Sequence, residues 1–247
     1  MPKRANRNQA PARVAFAGIV RELGAAADPK RAAVSRWFFK TGKGQYGEGD
    51  RFLGISTPDL RRIALRYRNL RLKDVERLLR SPIHEHRSAG FEILVAQYSR
   101  GESDQREKIF RFYLGHTRCA NNWDLVDGSA PYIVGEHLKT KPRAVLDKLA
   151  ESKLVWERRI AIVATVALIR EGELEDTFRI AEKLLSDQHD LIHKAVGWML
   201  RETGKISDTR LRKFLQRHYE RIPRTTLRYA IERFPAPERR RLLAGIF

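Results

Sequence analysis

Four stretches of this chain repeat one pattern, a basic residue followed by small and apolar ones. They are Arg87-Ser88-Ala89-Gly90-Phe91-Glu92, Arg159-Ile160-Ala161-Ile162-Val163-Ala164, Lys194-Ala195-Val196-Gly197-Trp198-Met199 and Arg228-Tyr229-Ala230-Ile231-Glu232. Arg159 and Lys194 are 35 residues apart, Lys194 and Arg228 are 34 apart, and Arg87 and Arg159 are 72 apart, twice 36. The unit missing between the first two is due near Trp123. Paired helices recurring at this period are the signature of an α-solenoid, because one pair cannot bury its own apolar face and must stack on the next. Such stacking lines a long concave surface with equivalent helices. The spacing therefore predicts an all-α solenoid whose basic helix starts lie in a row along a concave basic groove.

Local signals agree with an all-α chain, since neither long alternating β-branched runs nor Asn-Gly hairpin signals occur. Val14, Ala17, Val20 and Leu23 keep helical spacing, and Gly24 is a plausible stop. Asp28-Pro29 pairs a cap with a first-turn proline and opens a helix carrying Val34, Trp37 and Phe38. Thr57-Pro58-Asp59 and Ser81-Pro82 predict two further helix starts of the same kind. Residues 41–56, with Gly42, Gly44, Gly47, Gly49 and Gly54, read as an ordered loop that positions two helices. Their spacing matches neither common phosphate-binding glycine pattern. Residues 1–12, with Lys3, Arg4 and Arg7, read as a flexible basic tail, which leaves residues 13–247 as a single solenoid domain. The apolar run at 14–20 meets Arg21 and Glu22 at once, so it reads as a helix and not an export signal.

Forty-nine Lys and Arg against 30 Asp and Glu give a net charge of +19. That excess favours a polyanionic partner, nucleic acid first and an anionic membrane surface second. No stretch approaches the roughly 20 apolar residues that span a bilayer. The single cysteine, Cys119, excludes an internal disulfide and a Cys-based zinc site, and fits a reducing, cytoplasmic setting, nucleoid-associated in a prokaryote. His189 and His193 are one helical turn apart but lack the Glu of H-E-x-x-H, and His84 and His86 fall on different helix faces. No metal and no cofactor is expected.

The slot due near residue 123 is filled by Asn121-Asn122-Trp123-Asp124-Leu125-Val126-Asp127-Gly128-Ser129-Ala130-Pro131. Trp123 and Asp127 are four residues apart and share a face of any helix there. If that helix ran on, Pro131 would remove the hydrogen bond to the carbonyl of residue 127 and kink it. An indole and a carboxylate then stand where the other units carry basic and apolar groups. Plainer readings exist for each residue alone. Asp127 before Gly-Ser-Ala-Pro suits a helix cap, Trp123 and Trp198 suit core positions, and Arg158 and Arg159 beside Glu157 suit a solvated charged face. Together, two tryptophans and an acid on helices predicted to line a groove point to a site.

On these residues the chain resembles the AlkD-like DNA alkylation repair family, the DNA glycosylases built of HEAT-like repeats. The run from Asn121 to Asp127 resembles the family's central motif. Trp156-Glu157-Arg158-Arg159-Ile160-Ala161-Ile162, Lys194-Ala195-Val196-Gly197-Trp198-Met199-Leu200-Arg201-Glu202 and the segment from Gly44 to Ile55 resemble three others. The likeness spans about residues 30–235. It implies excision of cationic N3- or N7-alkylated purines from double-stranded DNA by hydrolysis of the N-glycosidic bond, in base excision repair. Asp127 would stabilise the developing deoxyribose cation or activate water. Trp123 and Trp198 would offer π faces to the sugar and the cationic nucleotide. Arg159 would grip a phosphate, the Arg-Ile-Ala-Ile run favouring it over Arg158, with Lys194 on the same DNA. A monomer needing no obligate protein partner and no membrane is expected, because terminal repeats cap a solenoid's core. Two other uses compete. One is a non-catalytic DNA or RNA structure-binding module; the other is a protein-binding scaffold, which need not carry +19.

Overall fold

The computed structural model describes residues 12–247, so the expected tail over residues 1–12 lies, but for Ala12, outside the described residues. Among the described residues every extended element is a helix, and the one β-type pairing is a single bridge between Arg51 and Ile83. None of these helices is long and apolar enough to cross a membrane. The residues fall into two compact units. One runs to Phe112 and includes Cys119–Leu125; the other comprises Tyr113–Arg118 and Val126–Phe247.

The first unit contains α1 (Ala12–Ala25), α2 (Pro29–Phe38), α3 (Thr57–Arg66), α4 (Leu72–Leu79), α5 (His84–Arg100) and most of α6 (Ser103–Leu114). Asp28 caps α2 as expected, its carboxylate accepting from Lys30 N at 2.9 Å and Arg31 N at 3.1 Å. Gly24 does not end α1, which runs one residue further. The cap of α3 is Ser56, one residue earlier than expected. Its hydroxyl accepts from Asp59 N, and Pro58 sits within the first turn, where its missing N–H is not needed. Ser81-Pro82 does not open a helix. The backbone here stays extended to pair with the glycine-rich loop: Arg51 N donates to Pro82 O (3.2 Å) and His84 N donates to Arg51 O (2.8 Å). The helix α5 therefore begins at His84. It is the hub of this unit, packing against α1, α3 and α4 and burying Ala89, Phe91, Ile93 and Leu94.

A short helix follows, α7 (Trp123–Asp127). After Asp127 the hydrogen-bond ladder is interrupted. Ser129 N donates to Val126 O, then Tyr132 N and Ile133 N both donate to Ser129 O, and the chain enters a π-helical turn over Pro131–Gly135. The expected break thus falls between Asp127 and Pro131. Gly135 lets this turn lie directly on its neighbour, since a Cβ there would sit 2.3 Å from Ala164 O.

The second unit continues with α8 (Glu136–Leu138), α9 (Ala144–Ala150), α10 (Val155–Val163), α11 (Val166–Arg170), α12 (Glu175–Leu184), α13 (Asp190–Ile206), α14 (Asp208–His218), α15 (Arg224–Ala230) and α16 (Ala236–Leu243). The repeat is visible in its stacking. Helices α10, α13 and α15 begin at Val155, Asp190 and Arg224, 35 and 34 residues apart, and pack α10 on α13 and α13 on α15. Helices α9 and α12 back the first two of these. The recurring basic residue is the fifth of its helix rather than the first in α10, α13 and α15, as Arg159, Lys194 and Arg228 show, and the fourth in α5, where it is Arg87. By the same count the equivalent position of α7 is Asp127, not Trp123.

Gly197 permits the close approach of α13 to α15. A Cβ at this position would lie 2.5 Å from Tyr229 Cβ and 2.6 Å from Thr226 O, and Thr226 Oγ1 donates to His193 O across the same seam. In an exposed helix Gly→Ala would stabilise by about 1 kcal/mol. Here the backbone carbonyl cannot step aside, so Gly197→Ala should instead lower stability by about 1–3 kcal/mol in urea melts, the usual cost of overpacking. An unchanged or raised midpoint would show that the α13–α15 seam gives way freely.

Candidate functional site

In the second unit, Asp127 ends α7 with its carboxylate in a two-pronged ion pair. Arg159 Nε donates to Oδ1 at 2.9 Å and Nη2 donates to Oδ2 at 2.7 Å, while Nη1 donates to Leu191 O at 2.6 Å. Arg159 is thereby tied to the first turn of α13 as well as to α7. The two partners are buried unequally, the Arg159 side chain being 6% exposed and that of Asp127 19%. The guanidinium grips from the inside and leaves the carboxylate as the part that meets solvent. Below the break, Tyr113 is fully buried, its hydroxyl 3.0 Å from Ser129 Oγ, and burial pushes the phenol well above its ordinary value.

Trp198 lies on α13 four residues beyond Lys194. The matching positions of α5 and α10, Phe91 and Val163, are swallowed by the core, at 3% and 0% exposed, whereas Trp198 is half-buried. It is the large aromatic in this series that packing does not consume. The three expected DNA-contacting cations all carry protein partners. Arg158 holds Asp187 (2.5 and 3.3 Å) and donates to the carbonyls of Ser152 and Lys153, joining the turn before α10 to the one before α13. Lys194 pairs with Asp190 one turn earlier at 2.7 Å. His189 and His193 are also occupied, the first accepting from Leu191 N as the cap of α13 and the second bonding Asp187 O.

In the first unit, Trp123 opens α7 on an aromatic bed. It stacks on Phe39 (ring centroids 5.5 Å, planes 29° apart), Phe39 stacks on Phe52 (5.2 Å, 11°), and Phe52 stacks on His84 (4.7 Å, 24°). Phe38 meets the indole edge-on at 5.9 Å, and Trp123 stays half-buried. A buried polar network fixes the backbone from which the indole projects. Asn122 Oδ1 accepts from Trp123 N at 2.8 Å. Next to it, Asp124 Oδ2 lies 2.8 Å from His84 Nε2, while His84 Nδ1 lies 3.3 Å from Asp50 Oδ2. Asp50 also receives Arg87 Nη2 at 2.7 Å, with Asn121 and Asn122 at longer range. Burial opposes charge on His84, but the bonds to Asp124 and Asp50 outweigh it and raise the imidazole to about 9. Burial likewise works against Asp50, yet His84 and Arg87 hold it below the usual carboxylate range.

This network explains the glycine-rich loop and names residues that spacing alone missed. Asp50 closes the loop. Glu85 accepts from the N–H groups of Leu53 and Gly54 (2.9 and 2.7 Å), and Gly54, at φ +80, has no room for a Cβ, which would lie 2.2 Å from Asp28 O. The visible signal was an acid amid glycines, Gly47-Glu48-Gly49-Asp50. Its partners lie 34 to 72 residues away, beyond the reach of any helical periodicity.

Comparison with known proteins bears on the family and the fold. A family model described as DNA alkylation repair enzyme matches residues 19–234. No curated protein matches by sequence. Among solved structures, one described as a "Predicted DNA alkylation repair enzyme from Enterococcus faecalis" superposes with a TM-score of 0.68 at 15% identity, covering 85% of this chain and 97% of that one. At that identity the likeness is one of fold.

The charged state of His84 has a measurable sign. Its folded value lies above its unfolded one, so its contribution to stability is complete below about pH 6.5 and is lost as pH rises through about 9. Other groups ionise in that range, so the difference between wild type and His84→Asn is the quantity to follow. The gap in thermal midpoints should be widest near pH 6.5 and narrow by about pH 10. A gap constant across that window would mean that His84 is neutral in the folded protein.

Proposed function

This chain belongs to the DNA alkylation repair enzyme family, and on that premise we propose that it is a monofunctional DNA glycosylase releasing cationic N3- and N7-alkylated purines from duplex DNA. Membership supports a role in repair of alkylated DNA. The glycosylase reading rests on Asp127, a carboxylate clamped from its buried side by Arg159 and presented outward.

The chemistry asks little of the protein. Alkylation at N3 or N7 makes the base a cationic leaving group, so no strong acid need protonate it. As the C1′–N bond opens, its electron pair leaves with the base and positive charge builds on the deoxyribose. A carboxylate about 4 Å away stabilises that charge by up to roughly 4 kcal/mol at an effective dielectric of 20. That is at most about 10³ in rate. The pairing with Arg159 lowers the figure, since part of the field is already neutralised. Water adds to C1′ and yields the abasic sugar, with Asp127 oriented to receive its proton. An enhancement of that size is sufficient for a labile N-glycosidic bond and insufficient for an intact nucleotide, which supplies selectivity without a tight base pocket.

In this reading Trp198, in the same unit as Asp127, lays its half-buried indole against the lesion nucleotide, a contact strengthened by the lesion's positive charge, and Trp123 offers DNA a half-buried indole of its own from the first unit. Arg159 is first a positioning residue. Its two bonds to the carboxylate and the third to Leu191 O fix the orientation of Asp127, and with its side chain 6% exposed it acts on the DNA through that carboxylate rather than by a direct grip on phosphate. Arg158 and Lys194 contribute positive potential near the DNA rather than specific grips.

Incubation with duplex DNA containing 7-methylguanine should give free base and abasic sites above the spontaneous rate. Asp127→Asn should keep DNA binding and lose about 10²–10³ of the excision rate, its melting curve confirming that Arg159 has not unfolded the protein. Arg159→Lys should reduce excision more than binding, because a point charge cannot hold both carboxylate oxygens. A folded wild-type protein that binds the duplex and releases no base would sink the glycosylase reading and leave a structure-binding module.

A further inference from the structure

Helix α2 turns an apolar stripe outward. Val34, Trp37 and Phe38 are 63%, 73% and 51% exposed, and their spacing sets them on one helix face. The other side is anchored, through buried Ala32 and through Phe39, which stacks on both Phe52 and Trp123. The stripe is therefore what remains after α2 has made its core contacts. Single exposed apolar residues are ordinary, whereas contiguous aromatic ones mark a contact surface.

The charge around the stripe says what it contacts. Residues 29–43 hold Lys30, Arg31, Arg36, Lys40 and Lys43, all exposed, and no acid. About half of the other surface cations of this unit are neutralised by a carboxylate, as in Arg61–Glu92, Arg62–Asp59, Arg71–Asp74 and Arg80–Glu76. None of the five around α2 forms such a pair among the described residues, and the Lys40 ammonium lies 5.0 Å over the Trp37 ring. Unneutralised cations flanking flat apolar rings complement a polyanion that carries flat apolar faces of its own. The stripe also joins the proposed site, since Phe38 meets Trp123 edge-on.

We propose that α2 is a DNA-contacting wedge. Val34, Trp37 and Phe38 press against base and sugar faces of the duplex beside the nucleotide held at Trp123, and Lys30, Arg36, Lys40 and Lys43 take the flanking phosphates. This inference rests on the reading of the chain as a protein that acts on duplex DNA. Apolar wedges of this kind unstack a base step and bend the duplex, at a cost offset by the contacts the bend permits. A basic helix bearing Trp and Phe is also what lies on an anionic membrane. Continuity with Trp123 decides for DNA, because a lipid surface has no use for that junction.

The test uses the full chain and two double variants, Trp37→Ala/Phe38→Ala and Lys40→Gln/Lys43→Gln. The probe is a duplex with a central tetrahydrofuran abasic analogue and 2-aminopurine beside it. The aromatic variant should bind about ten- to a hundredfold more weakly with its salt slope unchanged, and should lose the 2-aminopurine fluorescence rise that reports unstacking. The lysine variant should lower the salt slope by about two. Unchanged affinity and fluorescence in the aromatic variant would overturn the wedge. So would α2-dependent pelleting with phosphatidylglycerol vesicles, or α2-dependent dimerisation in sedimentation, with DNA binding unaffected. Base release from a 7-methylguanine duplex, run in parallel, separates the two proposals. Release with α2-independent binding overturns the wedge alone, and α2-dependent binding without release overturns the glycosylase alone.

Discussion

A pair of short helices cannot bury both its apolar faces, and the architecture of this chain follows from that shortage. Helices of seven to 17 residues, such as α9, α10 and α13, are marginal in water alone and gain their stability from the neighbour each packs upon. In the second unit the consequence is the ordered contact of α10 with α13 and α13 with α15, with Gly197 and Gly135 marking where backbones meet too closely for a side chain. In the first unit α5 takes the central place, and its first turn is buried almost entirely, polar groups included: His84, Glu85, His86 and Arg87.

Burying those groups imposes the second layer of the design. A buried charge is tolerated only when paired and hydrogen-bonded, and the net stability gained is small or negative. What it does supply is a definite position. Arg87 with Asp50 and His84, and Arg159 with Asp127, both place a cation one turn into a helix and answer it with an acid from elsewhere in the chain. The first network holds the backbone around Trp123; the second aims a carboxylate. A reaction whose leaving group is already cationic needs little more than a well-placed negative charge and flat surfaces for the sugar, and that modest demand matches what these side chains provide.

Several of these features were legible from residue order alone. The interval between Arg159, Lys194 and Arg228 predicted the stacked helices, and Asp28-Pro29 predicted the start of α2. The same signal misled at Ser81-Pro82, where the loop claimed the extended backbone for pairing with Arg51, and was displaced by one residue at Ser56. Asp127 and Trp123 stood out because they broke a basic pattern. The phase was four residues off, since a repeat read from sequence locates the unit and not its helix boundary. Arg159 was expected on a phosphate, and its pairing with Asp127 over 32 positions had no local signature.

The amino-acid order by itself determined the helical class, the repeat, the positive charge and the identity of the odd residues in the central slot, because these depend on periodicity and composition, which are local. Only the tertiary structure decided which cations are consumed by carboxylates and which around α2 are not, that Asp124 and Asp50 bracket the His84 imidazole, and that Trp123 rests on Phe39 while Trp198 escapes the core. Those outcomes depend on burial and on partners dozens of residues away, and burial is a property of the packed chain.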